Sequence, residues 1–106
     1  MLPKKNRIDK KNIDIVFKKG KFIASSTLTF KFIMLGGDRK VSFVVPKSIA
    51  MLAVKRNALR RRGNSVLERF IDQFPSGLVG VFVFKKYQDN ILVLQNEIKS
   101  ILNKIN

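Results

Sequence analysis

The sequence contains no cysteine and no histidine, and these two absences exclude several kinds of chemistry. Without cysteine the chain forms no disulfide, presents no thiolate nucleophile and lacks the ligands of a zinc knuckle. Without histidine it lacks the side chain that most often transfers protons in catalysis near neutral pH. Hydrolytic catalysis by the protein itself would then need paired carboxylates that hold a metal ion, or an arrangement of lysine and tyrosine.

Acidic residues are scarce as well, and they offer no catalytic set. The chain has 7 Asp and Glu residues against 22 Lys and Arg residues. Glu68 and Asp72 have a helical spacing of four residues, which would place both carboxylates on one solvent-exposed face. Gly36 and Gly37 are not followed by the lysine and serine or threonine of a phosphate-binding loop. We therefore predict that the protein holds no catalytic residue, no metal ligand and no small-molecule cofactor.

Long hydrophobic runs are also missing. No segment approaches the ~20 consecutive apolar residues of a membrane-spanning helix. Residues 1–7 carry positive charge, but the hydrophobic core of a signal peptide does not follow them. Together with the lack of cysteine, these features predict a cytoplasmic protein.

The dominant feature of the chain is its high positive charge, combined with enough hydrophobic residues to form a folded core. The formal net charge is +15, while 45% of the residues are hydrophobic and 9 are phenylalanine. A chain of 106 residues forms a single domain with one modest core. Self-repulsion destabilises such a domain unless a polyanion neutralises the charge. Nucleic acid is therefore the first candidate partner, and an anionic membrane surface is the second.

Basic residues are densest in residues 53–62, which contain no acidic residue. At about 100° per residue, this segment begins an amphipathic helix predicted over residues 52–74. Its apolar stripe consists of Leu59, Gly63, Val66, Leu67, Phe70, Ile71 and Phe74. Arg61 lies on the opposite side, whereas Arg56 points toward the stripe and stays in water only if the first turn extends beyond the core. Guanidinium groups bind phosphate and stack on bases, although a basic helix face is often only a solvated surface.

Residues 1–12 are polar and basic without periodicity, and we expect a flexible basic arm. Asn12 or Asp14 then starts a short helix, which Gly20 closes in a left-handed conformation. The narrow apolar strip of this helix consists of Ile13, Val16 and Phe17. The strip either packs on the core, or its first and last residues line a groove in which the phenylalanine stacks on a base.

Three strands are predicted, over residues 28–35, 41–45 and 78–84. The first two flank a turn at Gly36 and Gly37, and we interpret them as an antiparallel hairpin. The third is apolar on both faces, which is typical of a central or covered strand. A closing helix follows a cap at residue 89 or 90, and its core stripe consists of Ile91, Leu94, Ile98, Ile101, Leu102 and Ile105. The order helix-strand-strand-helix-strand-helix predicts one α+β domain over residues 1–106, a small two-layer α/β sandwich with a central sheet.

Three elements of the chain, in their order and spacing, resemble the protein subunit of bacterial ribonuclease P. Residues 16–20 (VFKKG) resemble the family's Val-Phe-Lys-x-Gly element, and residues 45–48 (VPKS) resemble its Val-Ser-Lys-Lys strand end. Residues 53–61 (AVKRNALRR) resemble the signature Ala-Val-x-Arg-Asn-Arg-x-Lys-Arg, which is the most specific of the three. The resemblance extends over nearly the whole chain.

The resemblance implies that the partners are the catalytic RNA of ribonuclease P and precursor tRNA, whose 5′ leader is removed by endonucleolytic cleavage. Catalysis then belongs to the RNA, with Mg²⁺ bound mainly by it, and the protein is a monomeric accessory subunit. The residues implied to bind the catalytic RNA are Lys55, Arg56, Asn57, Arg60, Arg61 and Arg62. Those implied to line a leader-binding cleft between the first helix and the open face of the sheet are Ile13, Phe17, Thr29, Lys31 and Lys47. The family's fold also has a left-handed crossover between parallel strands, against the usual hand.

The chain departs from the family pattern at Ala58, Ile13, Ser48 and Gly63, and by an extra residue within residues 49–52. Ser48 stands where the strand end of the family has its second lysine. Ala58 replaces one arginine of the signature, so that Arg61 or Arg62 would have to supply the missing guanidinium. Ile13 occupies a cleft position where the family often has an aromatic residue. Gly63 costs about 1 kcal/mol relative to alanine within a helix and would permit a kink there.

Composition alone leaves other functions open. A ribosomal or other structural RNA-binding protein has the same size and charge, but would not stimulate cleavage of precursor tRNA. A stand-alone nuclease would cleave RNA unaided, which the lack of histidine and cysteine argues against. A membrane-surface protein would need an exposed amphipathic helix rich in bulky apolar residues. Because we expect the core to bury the apolar stripes, we predict no membrane partner.

Overall fold

The structure is a computed structural model and describes residues 6–105. It contains three α-helices and one four-stranded mixed sheet, which confirms the α+β class. In chain order the elements are α1 (Lys10–Lys19), β1 (Lys21–Ala24), β2 (Leu28–Met34), β3 (Lys40–Val44), α2 (Ala53–Phe70), a 3₁₀ helix (Ile71–Gln73), β4 (Leu78–Phe84) and α3 (Ile91–Ile105). Within the described residues, no helix has the length and apolar character needed to cross a membrane.

β4 lies inside the sheet, whose strand order is β1-β2-β4-β3. It pairs antiparallel with β2 and parallel with β3. Six of its 7 residues are buried, as its apolar character on both faces predicts. The predicted hairpin between β2 and β3 is therefore wrong, because β4 is inserted between these two strands.

The loop between β2 and β3 passes around the start of β4. The amides of Leu35 and Gly36 donate to the carbonyl oxygen of Gly77, at 2.9 and 3.1 Å. Residues 35–39 thus span two strand spacings, about 10 Å, instead of forming a tight turn. β3 and β4 are parallel and are joined by a crossover connection through α2.

The two faces of the sheet carry cores of different size. On one face, α2 and α3 pack on a large core that includes Phe30, Phe43 and Phe82 of the strands. The apolar stripe predicted for α2 is buried at every position. On the other face, α1 packs through Val16 on a small core with Val79 and Val81 of β4. α1 thus covers this face of the sheet over β4 and leaves it uncovered toward the β1 edge. We call this side of the sheet the open face.

The N-terminal helix begins earlier than predicted. Asp9 caps α1, and its carboxylate accepts a hydrogen bond from the amide of Asn12 at 2.9 Å. The helix therefore begins at Lys10, within the segment that was expected to be a flexible arm. Before it, Asn6 is buried and donates its side-chain amide to the carbonyl oxygen of Arg39 at 2.7 Å. The rest of the expected arm, residues 1–5, lies outside the described residues.

Gly20 and Gly63 are explained by close packing. Gly20 is extended, with φ −74°, and the predicted left-handed cap is wrong. A Cβ atom at Gly20 would lie 2.4 Å from the carbonyl oxygen of Val16. α2 continues through Gly63 without interruption. A Cβ atom at Gly63 would lie 2.8 Å from the ring of Phe43, so the missing side chain lets the helix approach the sheet.

β1 is the strand that the sequence analysis did not predict. It has 4 residues, lies at the edge of the sheet and is largely exposed. Such a strand carries no alternating apolar pattern. It pairs with β2 so that Phe22 is opposite Lys31 and Ala24 is opposite Thr29, which places Phe22 and Ala24 on the open face.

Glu97 joins α3 to the turn between β1 and β2. Its side chain is buried and accepts hydrogen bonds from the amide of Thr27, at 2.7 Å, and from the hydroxyl groups of Ser25 and Thr27. Burial by itself raises the pKa of Glu97, but the hydrogen bonds donated to its carboxylate outweigh burial. The pKa of Glu97 therefore lies below its ordinary value.

We predict that Glu97→Gln destabilises the protein at neutral pH by about 1 to 2 kcal/mol, because the donors of Ser25 and Thr27 lose a charged acceptor. Since the folded-state pKa is lowered, the carboxylate's contribution is fully present above the unfolded-state pKa, about 4.3. It is lost as the pH falls through the folded-state pKa. Urea unfolding at a series of pH values should show the difference between the two proteins narrowing toward acid.

Asp72→Asn serves as the control for this measurement. The side chain of Asp72 is 95% exposed and lies 3.5 Å from Arg39. Exposed ion pairs contribute little to stability, so this substitution should change the free energy of unfolding only slightly. A difference between wild type and Glu97→Gln that stays constant over the whole pH range would contradict the assignment.

Candidate nucleic-acid interface

The first half of α2 presents a cationic surface beyond the core. The exposed side chains are those of Lys55, Arg60, Arg61 and Arg62, and Asn57 is half-buried among them. The helix packs on the core through its buried stripe, which begins at Leu59. Because α2 contains no acidic residue before Glu68, no carboxylate of its first three turns neutralises these cationic side chains.

Arg56 closes the turn that leads into α2. Its Nη1 atom donates to the carbonyl oxygens of Ala50, at 3.0 Å, and Met51, at 2.6 Å. The side chain is half-buried, in agreement with a helical phase that points toward the apolar stripe. Arg56 therefore positions the start of the basic helix, and part of its hydrogen-bonding capacity is used within the protein.

The three following arginines differ in their contacts. The guanidinium of Arg60 donates to the side-chain oxygen of Asn57. Arg62 donates to the carbonyl oxygen of Asp89 at 3.0 Å and so connects α2 to the segment before α3. Arg61 is exposed and lines a shallow depression together with Arg62 and Ala58. The small side chain of Ala58 thus leaves open space beside two guanidinium groups.

A second cationic region lies on the open face of the sheet, where α1 meets β2. Phe17 of α1 is 41% exposed. The Nζ atom of Lys31 lies 4.9 Å from the centroid of its ring, which is a cation–π contact. Thr29 lies on the same face of β2, one pleat away, and is half-buried. An aromatic face, an ammonium group and a hydroxyl group are therefore brought together.

Sequence comparison decides the family. The family model described as Ribonuclease P matches residues 2–106. The chain belongs to the ribonuclease P protein family. The resemblance of the three motifs to this family is thereby confirmed.

Solved structures of ribonuclease P proteins share the fold. The RNase P protein from Thermotoga maritima is 20% identical and superimposes with a TM-score of 0.82, over 94% of this chain and 97% of that chain. Two structures of the RNase P protein from Staphylococcus aureus have TM-scores of 0.77 and 0.75. Their identities are 17% and 20%; the first covers 95% of this chain and 98% of that chain, the second 99% and 93%. No curated protein matches the sequence.

The ribonuclease P resemblance implied five cleft residues, and the structure brings three of them together. Phe17, Thr29 and Lys31 lie side by side on the open face. Ile13 packs half-buried on the small core under α1. Lys47 lies in the exposed turn after β3, beyond the end of the sheet and separated from β2 by β4.

Phe22 is a residue of the open face that sequence reasoning missed. It lies on β1 opposite Lys31 and is 69% exposed. The sequence predicts no strand at this position, so nothing placed Phe22 on either face of the sheet. The only signal in the sequence is a bulky aromatic residue between Lys21 and a short polar turn.

We predict that Arg61→Ala weakens RNA binding, because it removes an exposed guanidinium that faces a polyanion. Each phosphate contact to a single strand contributes about −0.7 to the slope of log affinity against log salt. The slope should therefore become shallower by about this amount. Filter binding of RNA over a series of salt concentrations measures both quantities.

Arg69→Ala is the matched control, since Arg69 is an exposed arginine in the last turn of the same helix. It should leave the affinity and the slope nearly unchanged. If both substitutions weaken binding equally, net charge and not the position on α2 determines RNA affinity.

Proposed function

We propose that the protein is the protein subunit of a ribonuclease P ribonucleoprotein. It binds the catalytic RNA and the 5′ leader of precursor tRNA, and so promotes endonucleolytic 5′ maturation of tRNA. The observation that carries this proposal is the match of the family over residues 2–106. Two separate cationic regions support it, because an accessory subunit of this kind has two RNA partners to contact.

The α2 basic face is the region that we assign to the catalytic RNA. It consists of Lys55, Arg56, Asn57, Arg60, Arg61 and Arg62. A helix held by a buried stripe presents these side chains in a fixed order, and guanidinium forks match phosphate oxygens. Arg61 beside Ala58 offers the most open approach, while the other arginines of this face also hold contacts within the protein.

The leader cleft is the region that we assign to precursor tRNA. It is built around Phe17, Thr29 and Lys31; the family resemblance also implies Ile13, which supports α1 on the small core, and Lys47, which lies beyond the end of the sheet. Single-stranded nucleic acid is bound by basic grooves in which aromatic rings stack on successive bases. The exposed ring of Phe17, with the ammonium group of Lys31 4.9 Å from its centroid, has this chemistry.

We assign the cleavage chemistry to the RNA partner, with Mg²⁺ bound mainly by that RNA. Among residues 6–105, no group of three or more His, Cys, Asp or Glu side chains could hold a metal ion. Within that part of the chain, the side chains therefore do not form a carboxylate cluster for Mg²⁺. The protein's contribution is binding energy, because a leader held beside the reacting phosphodiester favours precursor over mature tRNA and positions the bond. One copy per complex belongs to the same proposal, and the cytoplasmic location stays a prediction.

The first test is multiple-turnover cleavage of precursor tRNA at low Mg²⁺ by a bacterial ribonuclease P RNA, with and without the protein. The RNA of the same organism is the proper partner. We expect strong stimulation by the protein and no cleavage by the protein alone. Tight RNA binding without stimulation would favour a ribosomal or other structural RNA-binding protein. Cleavage by the protein alone would contradict the prediction that the protein holds no catalytic residue.

We predict that Phe17→Ala leaves assembly with the catalytic RNA intact and weakens binding of leader-containing precursor tRNA. Loss of one base–aromatic stack costs about 1 to 3 kcal/mol, which is at least about a fivefold loss of affinity. Binding of precursors with long and short leaders to the reconstituted complex measures the effect.

Tyr87→Ala is the control, because Tyr87 is 52% exposed but lies between β4 and α3, outside the leader cleft. It should leave the preference for long leaders unchanged. Equal affinity of the wild-type complex for long and short leaders would remove the leader-binding function.

A further inference from the structure

Two of the nine phenylalanines differ from the rest in their exposure. All nine lie in the part of the chain that the structure describes, and only Phe17 and Phe22 are exposed. Phe22 is the more exposed of the two, at 69% against 41%. The large core does not use the ring of Phe22, although β1 itself is held in the sheet by four residue pairs with β2.

The register of the sheet places both exposed rings beside the same lysine. Phe22 on β1 is opposite Lys31 on β2, and Lys31 is opposite Val81 on β4. Val81 is covered by Val16 of α1. From the edge inward, the open face therefore presents Phe22, then Lys31, and then α1 with Phe17, whose ring centroid is 4.9 Å from Lys31 Nζ.

This arrangement has the chemistry of a binding surface for single-stranded nucleic acid. The Cβ atoms of directly opposed residues in an antiparallel pair lie about 5 Å apart, so the ring of Phe22 runs beside the stem of Lys31. Rings on both sides of one ammonium group match a strand in which bases alternate with phosphates. Lys19, the last residue of α1, and Lys21, the first of β1, are exposed at the start of this edge strand, although Lys21 lies opposite Phe32 and so belongs to the other face.

We propose that Phe22 is a second stacking position of the leader cleft. It takes an unpaired base on the β1 side of Lys31, while Phe17 takes another on the α1 side. The inference rests on the leader-binding function proposed above and extends the cleft to the edge of the sheet. Phe22 thereby contributes to the selection of precursors that carry a single-stranded leader.

A single fluorophore tests the contact directly. The chain contains no tryptophan, so Phe22→Trp introduces a unique reporter and keeps an aromatic ring at the position. Leu92→Trp is the matched control, because Leu92 is also 69% exposed but lies on α3, which covers the opposite face of the sheet. Both proteins are reconstituted with ribonuclease P RNA and titrated with precursor tRNA or with mature tRNA.

We expect precursor tRNA to quench the emission of the Phe22→Trp complex, because a base stacks on the indole, and mature tRNA to leave it unchanged. The Leu92→Trp complex should respond to neither. Equal responses of the two proteins, or equal quenching of Phe22→Trp by precursor and mature tRNA, would overturn the inference.

Affinity measurements separate this inference from the function on which it rests. After assembly with the RNA is verified, Phe22→Leu should lower the preference for precursor over mature tRNA about fivefold, and Phe22→Tyr should retain it. If the wild-type complex prefers precursor and Phe22→Leu keeps that preference, Phe22 has no stacking role and leader binding stands. If the wild-type complex shows no preference, leader binding and the role of Phe22 both fail.

Discussion

The burial of β4 on both faces is the constraint on which the rest of the structure depends. One face carries Phe82, whose ring centroid lies 4.3 Å from that of Phe30 and 4.9 Å from that of Phe43. The other face carries Val79 and Val81, which receive α1 through Val16. Because neither face tolerates water, β4 occupies the interior of the sheet and needs a partner strand on each side.

Both proposed RNA-binding regions follow from that placement. β3 pairs with β4 in parallel, so the chain has to return across the sheet through α2, and the basic start of α2 lies just after β3. Gly63 lets this helix approach the ring of Phe43. On the other face, α1 covers the valines of β4 and stops short of the edge, which leaves Lys31 between Phe17 and Phe22.

The α2 basic face and the leader cleft are built from separate elements of the chain. The two regions differ in how well the local sequence predicts which residues form them. The α2 basic face comes from one continuous segment, and helical periodicity alone places its residues on one side of one helix. The leader cleft combines α1, β1 and β2, so its composition depends on strand register and on which face α1 covers. Lys47 shows the difference, because its family motif assigns it to the cleft while the strand order separates it from Lys31.

The sequence by itself determined the α+β class, the buried stripe of α2, the central character of β4 and the cap of α3 near Asn90, whose side-chain oxygen accepts the amide of Leu92 at 2.9 Å. These features depend on local periodicity and on single capping residues. Tertiary structure alone decided the strand order, the existence of β1, the extended Gly20 and the place of Phe22. Each of these depends on atoms distant in the chain: β4 separates β2 from β3, the β2 ladder holds a strand that lacks an apolar pattern, and the carbonyl oxygens of Val16 and Phe32 leave no room for a Cβ atom at Gly20.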